Sequence, residues 1–186
     1  MFLGKKVKID EYSKVSLLNH LIIEDHKNKK AIFTRRILPD NLNDYFTLSD
    51  VCEERKIIEN NEIIDTNQLN YIEISNIDNN KLVGNFKKNM KSSNFCKKGD
   101  LLISSVTPKS KKVWISDGNY KVSSAIIVLK FNDESVRDYI FDYLKNNVNN
   151  IFTNINSLSE GFKVTYSKIS SWNLLNNIYF KKVKSN

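Results

Sequence analysis

Lys97-Lys98-Gly99-Asp100-Leu101-Leu102-Ile103-Ser104-Ser105-Val106 carries the strongest strand signal in the chain. A Gly-Asp turn opens an apolar run, and Pro108 closes it. Two runs of the same kind follow at residues 112–116 and 122–131, separated by the turn Asp117-Gly118-Asn119. Three neighbouring strands imply an antiparallel or mixed sheet. Behind them, Asp133-Glu134-Ser135 suits a helix N-terminus. Val136, Tyr139, Ile140, Tyr143, Leu144 and Val148 then recur at helical spacing, which predicts a helix over 136–148 with these side chains inward.

Upstream, Tyr71-Ile72-Glu73-Ile74-Ser75 alternates as a half-buried strand should. It runs into a turn at residues 76–80 and a further element at 81–86. Residues 46–56 read as a short strand followed by one helical turn, with Thr47 or Ser49 as cap and Leu48, Val51 and Cys52 inward. The polar residues 59–68 form a loop, and Pro39-Asp40-Asn41 a turn. Downstream come an Asn-rich link, a loop around Gly161, a short element at 163–166, and residues 167–175 leading to Trp172 and Leu174. No internal repeat is present. The predicted organisation is an N-terminal extension, residues 1–43, packed on a single domain, residues 44–186. Within the extension a hairpin and a strand-loop-helix are both open.

At 186 residues, with 40% hydrophobic and 27% charged residues, the chain suits one globular core. No apolar run approaches the roughly 18 residues of a membrane span, and the start has no apolar signal-peptide core, so a cytoplasmic protein is expected. The two cysteines, Cys52 and Cys96, form no CxxC pair and are expected as buried thiols. His20, His26, Cys52 and Cys96 lack the close pairing of a zinc site, and no metal or other cofactor is expected. A net charge of +8 attracts polyanions, nucleic acid or an acidic membrane surface, although an Asn-, Ile- and Lys-rich composition can also come from an AT-rich genome.

Read in order, residues 45–180 resemble the target-recognition domain of type I restriction-modification DNA specificity (S) subunits, a domain also attached to some DNA methyltransferases. Residues 46–52 resemble its opening element, and residues 71–78 its first core strand and turn. Residues 97–106 with Pro108, Lys111, Lys112 and Val113 resemble its Gly-Asp strand and basic loop. Val122-Ser123-Ser124, the helix with Tyr139, Tyr143 and Leu144, then Gly161 and residues 167–174 continue the family order. The resemblance implies an α+β fold, a twisted mixed or antiparallel sheet with a few packed helices. It also implies sequence-specific binding of double-stranded DNA without catalysis, the chemistry residing in a methyltransferase and a motor-nuclease partner. Family members usually carry two such domains joined by long helices, whereas here no long coiled-coil spacer is expected. A bipartite site would then need a homodimer or a second specificity protein. The alternative is a protein-interaction module or inhibitor derived from such a domain.

The residues expected to meet DNA fall in two basic stretches and two strand ends. Lys87, Lys88, Lys91, Lys97 and Lys98 surround Ser92, placing ammonium groups beside small donors. Ser104, Ser105, Thr107, Lys109, Ser110, Lys111 and Lys112 form the better candidate, because no acidic residue interrupts them. Asn76 could bond adenine in bidentate fashion, but a turn role competes. Ser123 is either a strand-end cap or a phosphate donor. Trp114, Trp172, Tyr71, Phe86 and Tyr139 are expected to pack in the core. Pro39-Asp40 with Glu54-Arg55-Lys56 formally satisfies the PD…ExK pattern of metal-dependent nucleases, but Glu54 is expected on a helical turn rather than a nuclease strand.

Overall fold

The computed structural model describes residues 20–25, 30–35, 42–55, 69–88, 90, 94–163 and 166–182. In the N-terminal segment β1 (His20–Asp25) and β2 (Lys30–Arg35) pair as an antiparallel hairpin. Next come β3 (Tyr45–Thr47), a 3-10 turn at Leu48–Asp50 and β4 (Cys52–Glu54). Then follow the short strands β5 (Tyr71–Ile72), β6 (Ile77–Asp78), β7 (Lys81–Leu82) and β8 (Phe95–Cys96). The sheet-forming block is β9 (Leu101–Ser104), β10 (Val113–Ile115), β11 (Tyr120–Val122) and β12 (Ile126–Phe131). Three helices follow, α1 (Glu134–Lys145), α2 (Ile151–Ser157) and α3 (Ser171–Asn177), with β13 (Glu160–Lys163) and β14 (Tyr166–Lys168) between α2 and α3, and β15 (Tyr179–Lys181) at the end.

The organising element is a four-stranded antiparallel sheet in the order β10-β9-β12-β4. Successive side chains of a strand point to opposite faces. Here both faces are covered, and the alternation sorts the residues into two cores. Leu101, Ile103, Val113, Ile127 and Leu129 join the helical side, with Ile140, Leu144, Ile151, Ile155, Leu174 and Phe180. Leu102, Trp114, Ile126 and Val128 join the other side, with Ile72, Ile77, Cys96 and Val122. A strand buried on both faces needs a continuous apolar run, which explains why β9 and β12 carry one.

Residues 122–131, expected as one strand, are two. At Ser123 the chain turns: the Ser123 carbonyl accepts from the Ile126 N–H (3.0 Å) and its hydroxyl accepts from the Ala125 N–H (3.2 Å). Before the turn, β11 lies in a second sheet, parallel to β5 and antiparallel to β8. After it, β12 enters the central sheet. The expected strand at residues 71–75 likewise stops at Ile72, because Glu73 and Asn76 close a capping box around a 3-10 turn. Residues 52–54, expected as part of a helical turn, form the edge strand β4, paired to β12. The loop expected around Gly161 is strand β13, paired to β14. The Asn-rich link contains α2, whose Ile151, Phe152 and Ile155 are buried.

Helix α1 starts where the sequence places it. The Asp133 carboxylate accepts from the N–H groups of Ser135 and Val136, and these bonds with the Ser135 hydroxyl hold its carboxyl below the ordinary range. It ends earlier than expected, at Asn146, after which Asn147 takes a left-handed conformation (φ 48°) and leaves Val148 exposed. Strand β15 returns to pair with β3, with the Phe180 and Phe46 rings stacked 5.9 Å apart, so the two ends of residues 44–182 close on each other.

The turn before β9 is pinned by a buried ion pair. Asp100 accepts from Arg55 Nε at 2.5 Å and from an Arg55 terminal nitrogen at 2.9 Å, as well as from the Lys97 N–H at 2.8 Å. Gly99 (φ 91°) makes the reversal possible and donates its N–H to the Ser116 carbonyl (2.8 Å), while the Ser116 N–H donates to the Asp100 carbonyl (2.8 Å). The Arg55 guanidinium also lies over the Phe95 ring. Removing one member of a buried pair leaves the other charge unpaired, at a cost of about 3–5 kcal/mol. Asp100→Ala is therefore expected to lower the urea midpoint by that order of stability. Adding Arg55→Ala to it is expected to cost less than the sum of the two single changes, measured as a double-mutant cycle.

Candidate nucleic-acid interface

The basic stretch at residues 107–112 leaves the end of β9 and is held by backbone bonds. Thr107 donates its N–H to the Ser167 carbonyl (2.8 Å), Val106 bridges to Lys168, and Ile169 donates its N–H to the Ser105 carbonyl (2.9 Å). Pro108–Ser110 is a 3-10 turn with Pro108 buried, and it packs on α2. Left-handed residues bracket it, Thr107 (φ 46°) and Lys111 (φ 54°). Lys109, Ser110 and Lys111 are exposed, and neither lysine makes an ion pair among the described residues. A fixed backbone with outward ammonium groups is a form suited to phosphate.

Several other expected contacts are buried or bonded inside the protein. Ser104 and Ser105 are each 1% exposed, and the Ser104 hydroxyl donates to the Val106 carbonyl (2.7 Å). Both sit where β9 is covered on two faces, so neither is a surface donor. Lys112 Nζ donates to the Ile77 carbonyl. Lys87 pairs with Glu73 at 2.9 Å, which cancels its charge locally. The Asn76 amide accepts from the Glu73 N–H (3.0 Å) and donates to the Val83 carbonyl (3.1 Å), so the turn role holds. Asn79 and Asn80 both have positive φ, the two-residue hairpin geometry joining β6 to β7. Ser123 caps its own turn. Lys88 and Lys98 are exposed, Lys98 beside the β10–β11 turn through a bond from its N–H to Asn119 (3.2 Å). Lys97 is half-buried. Lys91 and Ser92 lie outside the described residues. The two basic stretches thus separate: 107–111 sits by β14 and α2, whereas Lys87 and Lys98 sit by β5 and the β10–β11 turn.

The aromatic residues divide. Trp114 is buried, 5.7 Å from the Tyr120 ring, and Phe86 lies 6.3 Å from that ring. Tyr139 packs on Tyr143 and Phe46. Trp172, expected in the core, is 63% exposed. The reason is register: Leu174 and Ile178 supply the inward contacts of α3, which leaves Trp172 on the outer side. Lys168, also exposed, stands beside the 105–107 segment and is a basic residue that the linear charge pattern does not link to the loop.

For the nuclease reading, Asp40 and Lys56 lie outside the described residues, and Glu54 is on β4 rather than a helical turn. His26 lies outside as well, and among the described residues no three His, Cys, Asp or Glu side chains gather as a metal site would need. No helix among the described residues is long and apolar enough to cross a membrane.

The family model for the type I restriction modification DNA specificity domain matches residues 41–175. The chain belongs to this family. As a DNA specificity domain it is similar to solved chains of type I systems. One, from a study of complex assembly and conformational transition of a type I restriction-modification system, shares 16% identity over 77% of this chain and 34% of that one, with a TM-score of 0.49. The S subunit from M. genitalium shares 18% over 77% and 36%, with a TM-score of 0.43. The HsdS subunit from Thermoanaerobacter tengcongensis shares 14% over 60% and 30%, with a TM-score of 0.40. This DNA specificity domain therefore spans about a third of the length of the chains it resembles. Comparison with curated proteins finds no match.

Of the two thiols of the specificity domain, Cys96 is buried and Cys52 half-buried. Burial, then the Glu53 charge, pushes Cys52 up to about 12. Burial also pushes Cys96 up to about 12, against the opposing hydrogen bond to Ser116. Thiolate is the reactive form. The folded protein at pH 8 is expected to react with a disulfide reagent far more slowly than the urea-unfolded chain, in which both thiols react; two equal fast reactions in the folded state would contradict this burial.

Proposed function

We propose that this domain binds double-stranded DNA and discriminates its sequence, with the 107–111 turn as a phosphate-positioning element. Lys168 stands beside it. The supporting observation is the contrast between cations used internally and cations left outward. Lys87, Lys112 and Arg55 have partners within the protein, whereas Lys109 and Lys111 project from a turn whose backbone is fixed on both sides. Lysines act there as point charges that set register, and base reading falls to neighbouring groups.

Catalysis is assigned to partners: a methyltransferase subunit for methyl transfer, and a motor-nuclease subunit for translocation and cleavage. A bipartite target would be read with a second specificity domain, from another copy of this chain or from another protein. The cytoplasm is the compartment consistent with this work. Residues 1–43 are assigned as an extension of the domain that follows.

Neutralising a phosphate releases counterions, so the logarithm of affinity falls with the logarithm of salt by about 0.9 per contact. Lys109→Ala/Lys111→Ala is expected to weaken duplex binding at low salt and to flatten that slope by up to about 1.8. Lys87→Ala, removing an internally paired charge, is expected to change the slope much less. Fluorescence anisotropy across a salt series measures both; an unchanged slope in the double variant would remove the turn from the interface.

A further inference from the structure

We propose that Trp172 is a direct DNA contact, an aromatic side chain seated in a groove next to the phosphates held by Lys109 and Lys111. The proposal rests on the DNA-binding reading above and adds to it a residue that charge does not reveal. At 63%, Trp172 is far more exposed than Val83, Met90 or Val148, the other exposed large apolar residues described. The fold does not use its ring: α3 is seated by Leu174 and capped by Ser170, whose hydroxyl accepts from the Asn173 N–H at 3.2 Å. Tryptophan is enriched at interfaces because its ring offers a large apolar area with a polar N–H at its edge, and folding leaves that area unused here.

Position connects this ring to the basic turn. Lys168 bridges to Val106 and Ile169 bonds Ser105, so the chain entering α3 runs alongside the chain entering the turn. Lys168 and Ser170 are exposed while Ile169 between them is buried, and Trp172 follows on the exposed side. Four residues reach at most about 14 Å from Lys168 to Trp172. A major groove is about 12 Å wide, so a phosphate contact at Lys168 and an aromatic ring at the base edges fit one groove crossing.

The surroundings favour DNA over an apolar protein face. Helix α3 contains no acidic residue, and its other exposed or half-exposed side chains are largely amides and hydroxyls. Asp50 lies on the turn against which α3 packs, but its carboxylate is engaged by the Thr47 N–H (2.7 Å) and hydroxyl (2.9 Å). A lone aromatic among amides and cations suits a polyanion with flat apolar base edges. A protein interface core would surround it with further apolar side chains.

The chain has two tryptophans, and only Trp172 is exposed, so fluorescence isolates it. With saturating random-sequence duplex, quenching by neutral acrylamide is expected to fall several-fold. In Trp172→Phe, where the buried Trp114 alone emits, quenching is expected to be low and unchanged by duplex. Trp172→Ala is expected to weaken duplex binding about ten-fold while leaving the salt slope intact, since no phosphate contact is lost. Its Trp114 emission reports that the fold is retained. Tight duplex binding with acrylamide access unchanged, and Trp172→Ala within two-fold of the parent, would overturn the Trp172 contact and leave the DNA reading standing. Absence of duplex binding by the parent chain would overturn both.

Discussion

Strand β9 is buried on both faces, and the basic turn proposed to meet DNA hangs from one of its ends. Its side chains alternate between a helical core and a second core under the β5-β11-β8 sheet, so neither layer can shift without moving the other. At one end the Asp100 carboxylate gathers Arg55 and the Lys97 N–H, fixing the reversal that feeds the strand. At the other end the chain emerges as the 107–111 turn, bonded to the segment before α3. A binding loop on a rigid double-sided strand loses little conformational entropy on meeting its partner.

That arrangement also sorts the charges. The net +8 does not spread into one uniform field. Arg55, Lys87, Lys130 and Arg137 make ion pairs with carboxylates, while Lys112 and Lys121 donate to the carbonyls of Ile77 and Met90. Lys109 and Lys111 on the protruding turn make no ion pair among the described residues, and their own stretch, residues 104–112, holds no acidic residue. Local composition, more than total charge, decides where a polyanion would dock.

Much of this was legible in the sequence, for stated reasons. Turn signals around 97–131, the cap at Asp133 and the spacing of Ile140, Tyr143 and Leu144 are local, and local signals survive folding. Other features were hidden because they depend on distant partners. The break at Ser123 separates strands of two different sheets, a choice made by tertiary pairing rather than by propensity. Helix α2 lies in an Asn-rich stretch of low helix propensity and is held by burying Ile151, Phe152 and Ile155. The candidate site was legible as a basic loop, but Ser104 and Ser105 were misplaced as surface donors, since hydroxyls at a strand end look exposed until the covering layers are known. Trp172 is the opposite case: its ring faces outward, between Ser171 and Asn173, although an aromatic residue on a short helix reads as core.

The domain is proposed to discriminate DNA sequence rather than merely attract polyanions. The most direct measurement is selection of the chain's bound fraction from a pool of random duplexes at moderate salt, followed by sequencing of the retained DNA. Enrichment of a short motif over successive rounds is expected, with a mismatch in that motif costing about 1–3 kcal/mol per base pair. Retained DNA with no enriched motif, at an affinity set by salt alone, would contradict it.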